Sequence, residues 1–405
     1  MSTKKIFVIA VITMLAVSSA FANFFSKRFF EVKVGTDAGF SNSLFTANEL
    51  LKKNLVIDLP KLAAECPSTG FTVVSQVDPS LSLNINIAAF SLGIKSGADV
   101  YGKVNMDKGF FEFLGDGNEL DEPLDFGIKS DMDIFAYSEL NVGLKMGKYM
   151  LYASPAVFLP VVSVRESGGV ITLRNDSDGS IHMAMNMDMN VYSSFSVVDN
   201  KGNVNMGMDS VSEIMNSGYG FDIGALMRIP IFSSLTLDAE ARIPLIPGQL
   251  KKRTSYTASY SYDIKSIMEF GDAESNMQEP SFNDEESVSL SVNRPLKAAL
   301  YLNKDLLGSF LSVRAGGGLG IQRPFSDSYF IYPEYYLGIC MNLVDILKFS
   351  ASTAYKDQVF IHQLGTTFNI RFLQIDLGAS LQSADFIKSC QGAGFGAYTY
   401  FTLGF

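Results

Sequence analysis

The residues best suited to acid–base or nucleophilic chemistry are few and widely spaced in this sequence. It has two histidines, His182 and His362, and three cysteines, Cys66, Cys340 and Cys390. A catalytic triad needs a nucleophile, a histidine and an acid that converge, and neither histidine stands in a recognisable nucleophile context. The five residues also lack the regular spacing of zinc ligands. We therefore expect no enzymatic activity, no metal and no cofactor, and a hydrolase is only the last alternative.

Carboxylates are abundant, but they follow no ligand pattern. Within 106–124 the residues Asp116, Asn118, Glu119, Asp121 and Glu122 lack the full twelve-residue spacing of a calcium loop. The formal net charge is −10, whereas a nucleic-acid-binding protein needs a basic surface. Composition therefore predicts neither a calcium site nor a nucleic-acid partner.

The N-terminus has the pattern of a secretory signal peptide. Lys4 and Lys5 precede an apolar stretch, Ile6 to Val17, that is too short to span a bilayer comfortably. Ala20-Phe21-Ala22 follows, and small residues at the first and third of these positions suit signal peptidase. We expect residues 1–22 to be removed, so that the mature protein begins at Asn23 and is exported.

Alternation with a period of two dominates the remaining chain. In the clearest stretch, 181–191, every second residue is apolar and the residues between are mostly polar, which places the two sets on opposite faces of a strand. Several such stretches are ten to sixteen residues long, whereas a tilted membrane strand needs about nine to eleven residues and an ordinary globular strand about five or six. Length therefore favours a membrane β-barrel over a soluble sandwich.

The alternating stretches predict an all-β fold: a closed antiparallel transmembrane barrel of about 14–16 strands with short helical insertions. Residues 23–405 form this single domain, and the outer membrane of a bacterium is its expected location. The predicted strands are 29–40, 70–87, 90–105, 125–146, 149–174, 180–197, 218–230, 235–245, 254–266, 287–303, 308–322, 328–341, 347–357, 359–371, 375–384 and 394–405.

The last strand carries aromatic and apolar residues on one face and ends on an aromatic residue. This arrangement resembles the C-terminal signal of bacterial outer-membrane proteins, and the resemblance rests on Phe401, Leu403 and Phe405. It implies that the barrel-assembly machinery is a partner during biogenesis and that outer-membrane lipid surrounds the folded barrel.

Two insertions, 43–69 and 106–124, interrupt the alternation. Their apolar residues need a packing partner, and one interpretation is a plug or lid that closes the barrel mouth and forms the surface where an apolar ligand enters. The alternative is a helix on the barrel rim and a small loop core that buries the rings of one insertion against the other. The residues concerned are Leu44, Phe45, Leu50, Leu51, Leu55, Phe110, Phe111 and Phe113.

Charges of both signs fall on the polar parity of the strands, which faces the lumen of a membrane barrel. They either tune the selectivity of a polar channel or fill the interior as a network of paired charges, and the sequence leaves both interpretations open. The candidate lumen residues are Lys95, Asp99, Asp131, Asp133, Glu139, Asp222, Arg228, Asp238, Glu240, Arg242 and Arg371.

The signal peptide, the barrel size and the helical insertions together resemble the long-chain fatty-acid transporter (FadL-like) family of outer-membrane channels. The resemblance is one of architecture, so no ligand-binding residues are transferred from it. It implies a passive channel for small molecules, with a small apolar ligand as one option. The alternative function is a non-transporting surface barrel that acts as an adhesin or a structural protein.

Overall fold

The strands close into one antiparallel barrel. The computed structural model describes residues 28–46, 58–117, 119–197, 208–264, 274–277, 281–282, 285–307, 310–344, 346–370 and 372–405. In these residues nineteen strands form a single sheet. The first strand pairs with both the second and the last strand, so the sheet has no open edge at that point. The predicted fold class is confirmed.

The strands, in chain order, are β1 Phe30–Asn42, β2 Phe71–Ile87, β3 Phe90–Met106, β4 Leu124–Met146, β5 Tyr149–Asn175, β6 Ile181–Ser193, β7 Gly220–Phe232, β8 Leu235–Ile246, β9 Gly248–Ile264, β10 Glu274–Met277, β11 Ser281–Phe282, β12 Glu286–Val292, β13 Leu296–Leu306, β14 Leu311–Gln322, β15 Phe330–Val344, β16 Leu347–Lys356, β17 Val359–Ile370, β18 Leu373–Ser383 and β19 Gly394–Gly404. The described helices are α1 Leu59–Glu65, α2 Lys108–Asp116, α3 Met208–Met215 and α4 Phe386–Cys390. None of these helices is long and apolar enough to cross a membrane.

Alternation separates an apolar outer face from a polar inner face. Leu92 and Ile94 of β3 are about half exposed on the outer face, as are Leu337 and Ile339 of β15. In water such a belt would be costly, whereas in a bilayer it contacts lipid chains. A closed sheet is also the only form in which strands can cross a membrane, because closure satisfies every backbone hydrogen-bonding group.

The two ends of the barrel differ as the ends of bacterial barrels do. The chain termini meet at one end, where the backbone N–H of Phe29 donates to the carbonyl oxygen of Phe405 at 2.6 Å. Tight turns such as Gly147-Lys148 connect the strands at that end. The longer connections lie at the other end, together with the short turn between β16 and β17. Short turns mark the periplasmic end and longer loops the extracellular end.

At two places around the barrel, two strands lie end to end and together fill the place of one. β6 and β7 share the place next to β5: the Met150–Phe158 half of β5 pairs with β7, and its Val162–Asn175 half pairs with β6. Similarly, β8 and β9 follow one another along the next position, interrupted at Pro247. If β12 and β13 are counted as one strand and the short β10 and β11 are set aside, the barrel has sixteen strands, and a circuit at one level passes fourteen.

The sharing of positions creates an extracellular extension, which consists of β6, β9 and the second half of β5. β5 has 27 residues, far more than the nine to eleven that a tilted strand needs to cross a bilayer. The half of β5 that pairs with β7 lies level with the outer apolar belt. The other half therefore rises above the membrane on one side of the mouth.

The strand predicted over 287–303 is wrong as one continuous element. The structure ends β12 at Val292 and begins β13 at Leu296. Pro295 has no N–H to donate to a neighbouring strand, so the pairing breaks there. β9 also begins earlier than predicted, at Gly248, and α3 lies within the 198–217 stretch, where no strand was predicted.

The C-terminal strand closes the barrel against the first strand. Val34 lies opposite Phe401, and Val32 lies opposite Leu403, all on the outer face. The Phe405 ring lies 5.8 Å from the ring of Phe30, measured between centroids. The predicted assembly residues therefore sit on the seam where the last strand must pair with the first.

Candidate functional site

The candidate lumen residues that the structure describes lie on the inner face of the barrel. Paired residues of neighbouring strands share a face, and the register places Asp99 opposite Phe135, and Asp133 opposite Ser163. The same inner face carries Glu139 and Asp222, each opposite Ala156 of β5. The structure thus gathers the predicted charged residues of β3, β4, β7 and β8 on one surface, while Arg371 lies outside the described residues.

Two cavities lie inside the barrel. One has a volume of about 550 Å³ and is lined by Glu139, Glu240 and several tyrosines. The other has a volume of about 280 Å³ and is lined by residues that include Asp99 and Asp133. The same four cationic side chains line both cavities and therefore lie between them. They are Lys95, Arg242, Lys297 and Lys356.

One group of ion pairs joins strands along the wall that are adjacent or separated by one strand. Asp238 of β8 is fully buried and accepts two hydrogen bonds from Arg228 of β7, at 2.6 and 2.7 Å. Arg314 of β14 donates to the same carboxylate at 2.9 Å and also pairs with Glu240. The guanidinium of Arg314 lies over the ring of Tyr301, 4.1 Å from its centroid. These contacts satisfy charges that would otherwise be buried alone.

A second group of ion pairs crosses the lumen. Arg294 lies in the connection between β12 and β13, and its side chain is fully buried. It contacts Asp99 of β3 at 2.7 Å, Asp222 of β7 at 3.1 Å and Glu139 of β4 at 3.6 Å. Its guanidinium also lies 4.3 Å from the ring centroid of Tyr137. One arginine thereby joins a connection on one side of the barrel to three other strands.

Arg323, in the connection between β14 and β15, makes a similar crossing. It contacts Asp131 of β4 at 2.9 Å and Asp133 at 3.4 Å. Its backbone has a φ of +52°, a left-handed conformation that few non-glycine residues adopt and that redirects the chain sharply. The carbonyl oxygen of Pro324 accepts a hydrogen bond from Asn293 at 3.3 Å, so the two connections also bind each other.

A third connection, the turn between β16 and β17, also points into the mouth. Asp357 and Gln358 both have positive φ values, +49° and +67°. Lys297 contacts the Asp357 carboxylate at 2.6 Å, and the Tyr332 hydroxyl donates to it at 2.7 Å. Lys103 of β3 donates to the side chain of Gln358 at 2.9 Å.

Sequence reasoning missed the residues that tie these connections. Arg294 stood inside a predicted strand, and Arg323 stood between two strands without a partner in view. Pro295 was the available signal, because a proline rarely lies within a central strand. A break there would have moved Arg294 from the wall into a connection, where its direction is free.

The predicted plug residues gather, but on the outer face of the wall. Leu44, Cys66 and Phe111 form a buried cluster, and Phe71 and Met106 pack against it. Phe71 and Met106 lie opposite each other and share the parity of the outer face. In these residues the contacts match the alternative of a loop core on the rim and give the plug no support. Leu50, Leu51 and Leu55 lie outside the described residues.

Aromatic contacts complete the rim core. The ring of Phe110 lies 5.7 Å from that of Phe126, and the ring of Phe113 lies 5.9 Å from it. The ring of Phe45 meets that of Phe71 at 5.6 Å. Burial raises the pKa of the Cys66 thiol to about 11. Rings and thiol therefore form an inert apolar packing unit between α1 and α2.

The histidines and acids outside the lumen form no metal centre among the described residues. His182 lies between two carboxylates, 2.6 Å from Asp263 and 3.0 Å from Asp176. His362 lies 3.4 Å from the thiol of Cys390. Of the acids weighed as calcium ligands, Asp121 accepts a hydrogen bond from the backbone N–H of Ser177, a loop contact.

Comparison with solved structures shows that this barrel fold occurs in other proteins. The P. putida toluene transporter TodX aligns over 94% of this chain and 91% of its own, with 10% identity and a TM-score of 0.51. The fold is shared with that transporter. The CymD monoaromatic hydrocarbon channel (9% identity, 94% and 89% covered, TM-score 0.48) and a Pseudomonas aeruginosa FadL homologue (12% identity, 94% and 90% covered, TM-score 0.40) are also similar.

These comparisons confirm the predicted architectural resemblance and limit it to the fold. No protein-family model matches the chain, and no curated protein matches it in sequence. Identities near one residue in ten show a shared barrel and do not transfer a binding site.

Proposed function

We propose that this protein is an outer-membrane channel that passively admits small molecules. The observation that carries the proposal is the pair of cavities inside a closed barrel, of about 550 and 280 Å³, which share four cationic lining residues. A barrel whose interior was filled completely by its own side chains would leave no such space. Cavities of this size suit small solutes.

The lining favours polar solutes. The larger cavity is bordered by four carboxylates and four cationic side chains, and tyrosines such as Tyr152, Tyr301 and Tyr336 contribute hydroxyl groups. Polar and charged walls can replace the hydration shell of a polar solute, whereas an apolar solute gains nothing from displacing water there. An apolar solute remains the finer alternative, because the structurally similar TodX is a toluene transporter.

Reconstituted protein tests both options. The purified, heat-modifiable barrel is placed in liposomes, and the influx of small sugars, amino acids and toluene is measured against empty liposomes. Faster influx of the polar solutes supports the proposal, and toluene influx alone supports the apolar alternative. Influx at the empty-liposome rate for every solute, with no current in planar bilayers, would support the non-transporting surface barrel instead.

A further inference from the structure

We propose that Arg294 and Arg323 form an ionic latch that sets the conductance and the ion selectivity of this channel. The latch holds the connections 293–295 and 323–328 across the extracellular mouth. The inference rests on the proposed channel function and adds to it the residues that determine which solutes pass.

The partners of Arg294 show that this part of the mouth is narrow. β13 pairs with β8 and β14, whereas the partners of Arg294 lie on β7, two positions away, and on the more distant β4 and β3. A circular barrel of fourteen tilted strands spaced about 4.8 Å apart would have a diameter of about 25–30 Å, too wide for an arginine side chain to bridge from the wall. The lumen is narrower here, because Val292 at the end of β12 packs in one buried cluster with Phe135 and Tyr137 of β4. Arg294, in the connection that follows β12, reaches β3 and β4 at this constriction.

The second connection crosses the mouth in the same direction. Arg323 follows β14 and contacts two carboxylates on β4, which is five positions away around the barrel. Its contact with the first connection, through Asn293 and Pro324, makes the two a single obstruction. Because the partners of both arginines lie on β3, β4 and β7, the obstruction that narrows the mouth is fixed on one side of the barrel.

The charges at that wall predict what opening would do. Arg294 and Arg323 together contact five carboxylates. Without the arginines, this side of the mouth would carry an excess of negative charge, although Arg165 stays 3.6 Å from Asp133 and Arg242 stays 3.7 Å from Glu139. A ring or patch of carboxylates favours the passage of cations. The five are Asp99, Asp131, Asp133, Glu139 and Asp222.

Wall pairs do not have this property. Arg228 and Asp238 lie on the adjacent strands β7 and β8, so their ion pair stiffens the wall without closing the lumen. Arg294 and Arg323 form a latch because they contact strands across the lumen and do not only join neighbouring strands of the wall.

Single-channel recording in planar bilayers tests the latch. Arg294→Gln, Arg323→Gln and the double variant are compared with the parent, and reversal potentials in a KCl gradient give the cation-to-anion permeability ratio. Each single variant should conduct several-fold more than the parent, the double variant most, and all should shift toward cations. Because the measurement is made channel by channel, a lower yield of folded variant does not alter it.

A matched control uses another buried arginine. Arg28 pairs with Glu31 at 3.2 Å at the periplasmic end and lines neither cavity. Arg28→Gln should leave single-channel conductance and selectivity at the parental values. Equal increases in the control and the latch variants would mean that loss of any buried ion pair loosens the barrel, and would overturn the proposal.

The carboxylate side of the latch gives an independent variant. Asp99→Asn, Asp222→Asn and Glu139→Gln together remove all three carboxylate partners of Arg294 while keeping its charge in the mouth. Conductance should again rise, but selectivity should shift toward anions, opposite to Arg294→Gln. Opposite shifts with a common rise in conductance are expected from a latch and not from general destabilisation.

Failure of the latch and failure of the channel are separable. If the parent conducts and the arginine variants conduct equally well with unchanged selectivity, the latch is wrong and the channel stands. If neither the parent nor any folded variant conducts, the channel proposal falls and the latch falls with it.

Discussion

Asp238 is the position where the contribution of the wall ion pairs to the free energy of unfolding can be measured most directly. Its carboxylate is fully buried and accepts hydrogen bonds from two arginines, Arg228 and Arg314, at 2.6 to 2.9 Å. Asp238→Asn keeps the shape of the side chain and removes the negative charge that both guanidinium groups share. Breaking a buried ion pair by removing one partner costs about 3–5 kcal/mol, because the remaining charge is left without compensation.

The assay is urea unfolding of the refolded barrel, followed by the mobility difference between folded and heated protein. Asp238→Asn should lower the free energy of unfolding by about 3–5 kcal/mol. Asp188→Asn is the control, since Asp188 is exposed on β6 and should give no measurable change. A loss below about 1 kcal/mol at Asp238 would show that water in the lumen screens the arginines, and the argument from burial would fail.

Three further predictions concern the rim and the seam. Cys390 is exposed on α4 at the extracellular end, so a membrane-impermeant maleimide should label it on intact cells. Cys66 is buried, its thiol has a pKa of about 11, and it should stay unlabelled. Labelling of Cys390 only after lysis would reverse the assigned topology. Deletion of Phe405 should lower the amount of heat-modifiable barrel in the membrane, because its carbonyl and ring join the last strand to the first. An amount of heat-modifiable barrel equal to that of the parent would contradict this prediction. The hydrogen bond from Lys388 lowers the pKa of Glu65, so this contact between α4 and α1 should stabilise the rim above the ordinary carboxyl pKa. The stabilisation should disappear as the pH falls through the lowered pKa, and protease cleavage at α1 should then become faster. Cleavage that is unchanged at low pH would refute the contribution of this contact.

The strands could be predicted because two independent signals coincide in them. β4 and β5 were expected at 125–146 and 149–174, and the structure has Leu124–Met146 and Tyr149–Asn175. Strict alternation fixes the faces, and the tight turn at Gly147-Lys148 fixes the register, so neither element has freedom to shift. The candidate lumen charges follow from the same alternation, since parity alone decides which side chains face inward.

The connections could not be predicted in this way, because parity carries no information outside a strand. Arg294 and Arg323 were not recognised as functional candidates for that reason, although their ion pairs reach strands five positions away around the barrel. The direction of a connection depends on backbone conformation at a few residues, here the proline at 295 and the left-handed φ of Arg323. The leucines and aromatic rings of the two insertions led to the prediction of a plug, yet the described residues of the insertions pack on the outer face of the wall.

The two interpretations of the charged interior, a selective channel and a stiffening network, therefore apply to different residues. An ion pair between adjacent strands, such as Arg228 with Asp238, reduces the freedom of the wall and leaves the lumen open. An ion pair between a connection and a distant strand, such as Arg294 with Asp99, occupies the lumen itself. Stability should respond to the first kind and permeability to the second. A variant of Asp238 that changed conductance as strongly as a variant of Arg294 would show that wall and mouth are mechanically coupled, and the two roles could then no longer be assigned to separate residues.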